Sequence, residues 1–140
     1  MMGDPELAGQ LKARLKLPVM AGPMFIASTP DLVIAQCRAG IIGAMPALNA
    51  RTTDVLNADL TRIANALADC SAPYAINLVC HRTNARLQDD LDLIVKHKAP
   101  IVVLALGADP EVVSAIHAYG GLVFNDVERP ARPQVRRDRG

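Results

Sequence analysis

Short apolar runs alternate with longer stretches of helical period along most of this chain. The run Leu17-Pro18-Val19-Met20-Ala21 ends in Gly22-Pro23, which predicts a strand followed by a loop. Thr29-Pro30-Asp31 supplies an N-cap hydroxyl, a proline at the first helical position and an acid facing the positive end of the helix dipole. Gly40 is a suitable left-handed cap for the end of that helix. Residues 41–44 read as the second strand, closed by Met45-Pro46. Thr52 or Thr53 starts the next helix, in which Leu56, Leu60, Ile63 and Leu67 share one face. Residues 74–78 form the third strand. Asn84 then caps a helix with Asp89 and Asp90 near its start, Lys96, His97 and Lys98 at its end, and a buried stripe of Leu87, Leu91 and Ile94. The β-branched run at 101–104 predicts a strand buried on both faces. Asp109-Pro110-Glu111 opens the last helix, Gly120 closes it, and Leu122-Val123-Phe124 is the fifth strand.

Strands alternating with helices predict an α/β fold with about five parallel strands, flanking helices and right-handed crossovers. An open doubly wound sheet and part of an eight-stranded TIM-type barrel both satisfy this pattern. In either, ligands sit at the C-terminal ends of the strands. That directs attention to residues 22–24, 43–46, 77–82, 105–108 and 125–126.

Composition narrows the class. Half of the 140 residues are apolar, yet the chain has only two Tyr, two Phe and no Trp, so the core is built of Ala, Val, Ile and Leu. A net charge of +1 gives no reason to expect a nucleic-acid or anionic-membrane partner. The three cysteines, Cys37, Cys70 and Cys80, lack metal-ligand spacing and read as thiols of a reducing compartment. The first ten residues are polar and acidic, unlike a signal peptide, and no apolar run reaches the ~18 residues of a membrane span. The expectation is a soluble cytoplasmic protein.

Among the strand-end residues, Ala21-Gly22-Pro23-Met24 is small enough for a flat ligand to approach the backbone, although an ordinary strand-to-helix turn looks the same. Asn77 interrupts an apolar strand; its amide either bonds neighbouring backbone or points at a polar ligand edge. His81-Arg82 reads as an anion-binding or acid–base pair, or as a solvated loop. His97 and His117 lie toward helix ends and read as surface residues. No Gly-x-Gly-x-x-Gly, Walker loop, Cys-x-x-Cys or Ser-His-Asp set occurs.

Taken together, four segments resemble the nitronate monooxygenase family, formerly called 2-nitropropane dioxygenases. They are Pro18-Val19-Met20-Ala21-Gly22-Pro23-Met24, Ala39-Gly40-Ile41-Ile42-Gly43, Ile76-Asn77-Leu78-Val79-Cys80-His81-Arg82-Thr83-Asn84 and Gly120-Gly121-Leu122-Val123-Phe124-Asn125-Asp126-Val127. A flavin-type enoyl-acyl-carrier-protein reductase shares that barrel. The resemblance implies a TIM-type barrel binding FMN noncovalently and oxidising alkyl nitronates with O2. By the family pattern Gly22, Pro23 and Met24 lie against the flavin through backbone contacts, and Asn77 hydrogen-bonds to it. The family's catalytic histidine and phosphate-binding loops lie further along than this chain extends, and Asn125 stands where the closest subgroup has histidine.

The resemblance covers residues 15–127, so 1–127 is expected to be the N-terminal portion of such a barrel. Residues 128–140 form an Arg/Pro-rich tail foreign to the family, of the kind a frameshift or truncation produces. A partial barrel leaves strand edges and apolar faces open, so weak FMN binding and self-association through those edges are expected. The alternative readings are an inactive fragment or half barrel requiring a partner chain, and a protein like the flavin-type enoyl-acyl-carrier-protein reductase.

Overall fold

The computed structural model describes residues 5–126; the Arg/Pro-rich tail and the proposed boundary at 127/128 lie outside them. Helix α1 (Pro5–Ala13) is followed by α2 (Pro30–Ala39), β1 (Gly43–Pro46), a 3-10 turn (Ala47–Asn49), α3 (Thr53–Ala66), β2 (Tyr74–Val79), α4 (Leu87–His97), β3 (Ile101–Ala105), α5 (Pro110–Ala118) and β4 (Leu122–Asn125). The strands are parallel and lie in the order β1-β2-β3-β4.

That order decides between the two architectures left open by the sequence. A doubly wound sheet reverses its strand order at a switch point. Here each strand pairs with the next in sequence and the order never reverses, which is the winding of a barrel. The expected first strand shrinks to a single parallel bridge, Met20 to Ile42, with Ala21 N–H donating to the Ile42 carbonyl (2.8 Å). Pro18 cannot donate to a ladder, and Gly22-Pro23 turns the chain away immediately afterwards.

The caps form largely where the sequence places them. Thr29 accepts from Leu32 N–H and Thr52 from Val55 N–H, while Gly40 closes α2 at φ 97°. The helix assigned to Asn84 instead begins at Leu87, because the Asn84 side chain is spent on a turn, bonding Val79 O and Arg86 N–H. Helix α1 carries too little apolar period to be read from the sequence, yet Leu11 and the following Leu15 pack beneath the sheet.

Strand alternation sorts the core into two faces. Met45, Tyr74, Ile76, Leu78, Val102 and Leu104 meet the helices, where Leu56, Leu60 and Ile63 of α3, Ile94 of α4 and Ile116 of α5 are fully buried. Ala44, Ala75, Ile101 and Val103 form the opposite, inner face with Ile42. Gly43 is required by packing, since a Cβ there would run into the Val33 carbonyl and the Cys37 sulfur. Burial pushes the Cys37 thiol pKa up, and Cys37 packs as a small apolar side chain that accepts the Gly43 N–H.

Candidate functional site

The inner face is layered by register. Ala44, Ala75, Ile101 and Leu122 stand level with one another, and one layer toward the C-terminal ends come Pro46, Asn77, Val103 and Phe124. Above this second layer a cleft of about 540 Å³ opens, lined by Met20, Pro23, Asn77, Val103, Ala105, Phe124, Asn125 and Asp126. It lies where ligands bind in barrels.

Of the four residues singled out from the sequence, Pro23 and Asn77 come together in this cleft. The Asn77 side chain makes one hydrogen bond, from Nδ2 to the Val103 carbonyl (3.0 Å). That bond fixes the amide against the sheet and leaves its carbonyl oxygen as an acceptor. The bond to neighbouring backbone is thus present, and the amide oxygen has no partner among the described residues. Gly22 is exposed, and a Cβ placed on it would meet nothing within 4 Å, so the space against this part of the loop is open. Among residues 21–24 its N–H is the remaining donor: Ala21 N–H is spent on Ile42, Pro23 has none, and Met24 N–H donates to Ser28 Oγ (2.9 Å). Met24 does not line the cleft, and half of its side chain faces solvent.

The His81-Arg82 segment stays apart. His81 Nδ1 lies 2.8 Å from Thr83 Oγ1 and accepts the Thr83 N–H, so the ring is tied into its own turn, and Arg82 is exposed. His97 is not the surface residue expected: its Nε2 meets Asn57 Oδ1 of α3 at 2.8 Å, and burial, reinforced by Lys96, lowers its pKa. His117 is exposed, at the edge of a separate apolar cavity of about 400 Å³ between α1 and the inner face. Among the described residues, Asp126 is the one ionisable group lining the cleft.

Asn49 escaped the sequence reading, although it organises the loop beside the cleft. Its Nδ2 donates to the carbonyls of Met24 (3.0 Å) and Ser28 (2.8 Å), and its Oδ1 accepts from Ile26 N–H (2.9 Å). The only available signal was a polar amide directly after a strand end, in Pro46-Ala47-Leu48-Asn49.

Among the described residues no helix is long and apolar enough to cross a membrane, and no group of three or more His, Cys, Asp or Glu side chains is placed to hold a metal. No protein-family model matches the sequence, and no curated protein does. Solved structures do match. One FabK structure from Thermotoga maritima aligns with TM-score 0.71 and 19% identity, covering 89% of this chain and 37% of its own. A point mutant of that protein gives TM-score 0.70 and 19% identity, with 89% of this chain and 40% of its own covered. The chain thus spans about two fifths of the length of these structures. Identity this low speaks to the fold, and together with the unreversed strand order it makes the chain part of a TIM-type α/β barrel.

Proposed function

We propose that this chain provides the flavin-facing portion of an FMN-dependent oxidoreductase barrel of the nitronate monooxygenase type. One observation carries the reading: Pro23 and Asn77, which the sequence resemblance assigns to the flavin, lie more than 50 residues apart in sequence and line the same cleft. The residues present suit a flat, polar-edged ring. The cleft is walled by Val103, Ala105 and Phe124, an amide carbonyl is free at Asn77, and the backbone at Gly22 is open with an unspent N–H. Pro23 and Asn77 would hold the ring, with Gly22 beside them. Bound FMN would supply the electron transfer, while these groups orient it and tune its electron affinity.

Among the described residues the cleft offers Asp126 and no histidine. Nitronate oxidation by this chain alone is therefore proposed to be slow or absent, with further barrel residues supplying the proton-transfer group. A second reading is favoured by the structural neighbours: FabK is an enoyl-ACP reductase of the same flavin-enzyme superfamily, so an NADH-dependent reductase is the runner-up.

Fluorescence titration of FMN against the purified chain tests the binding. The expected outcome is saturable quenching that Asn77→Leu weakens. No binding, or binding indifferent to Asn77, would refute the proposal. On a flavin-loaded chain, nitronate-dependent O2 uptake without NADH would favour the first activity, and NADH-dependent flavin reduction the second.

A further inference from the structure

The loop between the Met20 bridge and α2 is held in a costly conformation. Ile26 has φ 66°, in the left-handed region that a β-branched side chain disfavours. Its side chain is 78% exposed and that of Phe25 70%, so no packing of these side chains compensates for the strain. A conformation of this kind persists only where its surroundings over-determine it.

Asn49 provides most of that determination. One side-chain amide satisfies two loop carbonyls, Met24 and Ser28, and receives the N–H of the strained residue itself. Ser28, itself buried, closes the segment from within by accepting Met24 N–H through Oγ, while its own N–H donates to Met24 O (3.0 Å). The base of the clamp is fixed in turn. Ala50, next in sequence, is buried, and its carbonyl accepts from Arg86 Nη1 (2.7 Å) at the start of α4. The fully buried Asp90 holds that guanidinium through Nη2 (2.7 Å). A continuous line of hydrogen bonds and backbone thus runs from the interior of α4 to the loop that carries Pro23.

We propose that Asn49 is a positioning residue for the ligand loop: it holds residues 24–28 in a single conformation that sets Gly22 and Pro23 at the cleft mouth and turns Phe25 and Ile26 outward. The role of that loop toward a flavin rests on the function proposed above; the clamp does not. Asn49→Asp keeps the acceptor for Ile26 N–H but sets a second acceptor oxygen against the Met24 and Ser28 carbonyls in place of the donor. Asn49→Ala loses all three bonds.

Hydrogen exchange of the 140-residue chain decides the matter. In Asn49→Ala the Ile26 amide is expected to exchange roughly 10- to 100-fold faster, as the loss of two to three ordinary hydrogen bonds implies. Asn49→Asp, which turns the donor toward the Met24 and Ser28 carbonyls into an acceptor, should also exchange faster than wild type at this amide, while β2 and β3 amides keep wild-type rates in both. Unchanged exchange at Ile26 would overturn the proposal, and so would an increase spread evenly over the sheet, which marks a merely structural residue. FMN titration of the same proteins provides the second readout. Weaker binding in both variants than in wild type is expected, and equal affinities in all three would overturn the positioning role. If wild type binds no flavin, the proposed function fails, and exchange at Ile26 still decides the clamp. Should the alanine variant not fold, the aspartate variant alone carries both comparisons.

Discussion

Replacing Arg86 by alanine isolates a buried charge. Asp90 is fully buried in the first turns of α4, and its Oδ1 accepts from Arg86 Nη2 at 2.7 Å, while Asp90 Oδ2 and Arg86 Nε are buried without partners. Desolvation already raises the Asp90 pKa above its ordinary value of 3.8, against the opposing hydrogen bond and charge of Arg86. Removing the guanidinium leaves desolvation unopposed, so the carboxyl is driven further toward its neutral form. Holding it neutral costs at most about 4 kcal/mol at pH 7 and about 1.6 kcal/mol at pH 5, from 1.36 kcal/mol per pH unit above 3.8. Loss of the bond to the Ala50 carbonyl adds about 1 kcal/mol. The expected destabilisation is about 3–5 kcal/mol at pH 7, in the range for breaking a buried pair, and roughly half that at pH 5. The direction follows from proton counting. Between 3.8 and the raised native pKa the folded state binds more protons than the unfolded one, so stability falls as pH rises through that window. Arg86→Ala extends the window upward. Urea denaturation at both pH values measures the effect. A loss equal at the two pH values, or below about 1 kcal/mol at pH 7, would refute the reasoning, and an Arg86→Met/Asp90→Leu pair should recover most of the loss.

Leu60→Ala, at a fully buried position of α3, should cost about 2–5 kcal/mol in chemical denaturation. Gly43→Ala should destabilise the chain markedly because its Cβ meets the Val33 carbonyl, whereas Gly22→Ala, opening onto empty space, should leave the melting temperature unchanged. The chain's two tyrosines, Tyr74 and Tyr119, are both pushed up to about 12 by burial, so absorbance titration of the native state should show no step near 10. Both being acids with raised native pKa, stability should decline as pH climbs from about 10 toward 12.

The legible part of this fold was what local chemistry dictates. Thr29, Thr52, Asp109 and Gly40 cap helices because a short hydroxyl or carboxylate, or a residue free to take positive φ, is the local solution to unpaired backbone groups. The stripe of Leu56, Leu60 and Ile63 is buried as its period requires. Barrel winding was not legible, because strand order is set by which edges meet, and the sequence pattern is the same for either winding. The edge strand was over-read: an apolar run predicts burial, but Pro18 and Gly22-Pro23 leave room for one bridge. At the site, Asn77 stood out as a polar residue within an apolar strand, and Pro23 through its Gly-Pro turn. Phe124 and Val103 did not stand out, since their alternation looks like any strand and only the register places them beside Asn77. Asn49 was hidden because its three partners lie 21 to 25 residues earlier in the chain. Asp90 read only as an acid near a helix start; its burial depends on how α4 packs.

The central claim is that the inner face at the strand C-terminal ends binds a flavin ring. NMR of the isotope-labelled chain during FMN addition tests it most directly. The Gly22 N–H and the Asn77 side-chain amide are expected to shift together and saturably, with Ala105 and Phe124 following and Tyr119 and Ser71 unmoved. Shifts confined to Leu11, Lys12 and Leu15, around the apolar cavity beneath the sheet, or no saturable shift at all, would contradict it.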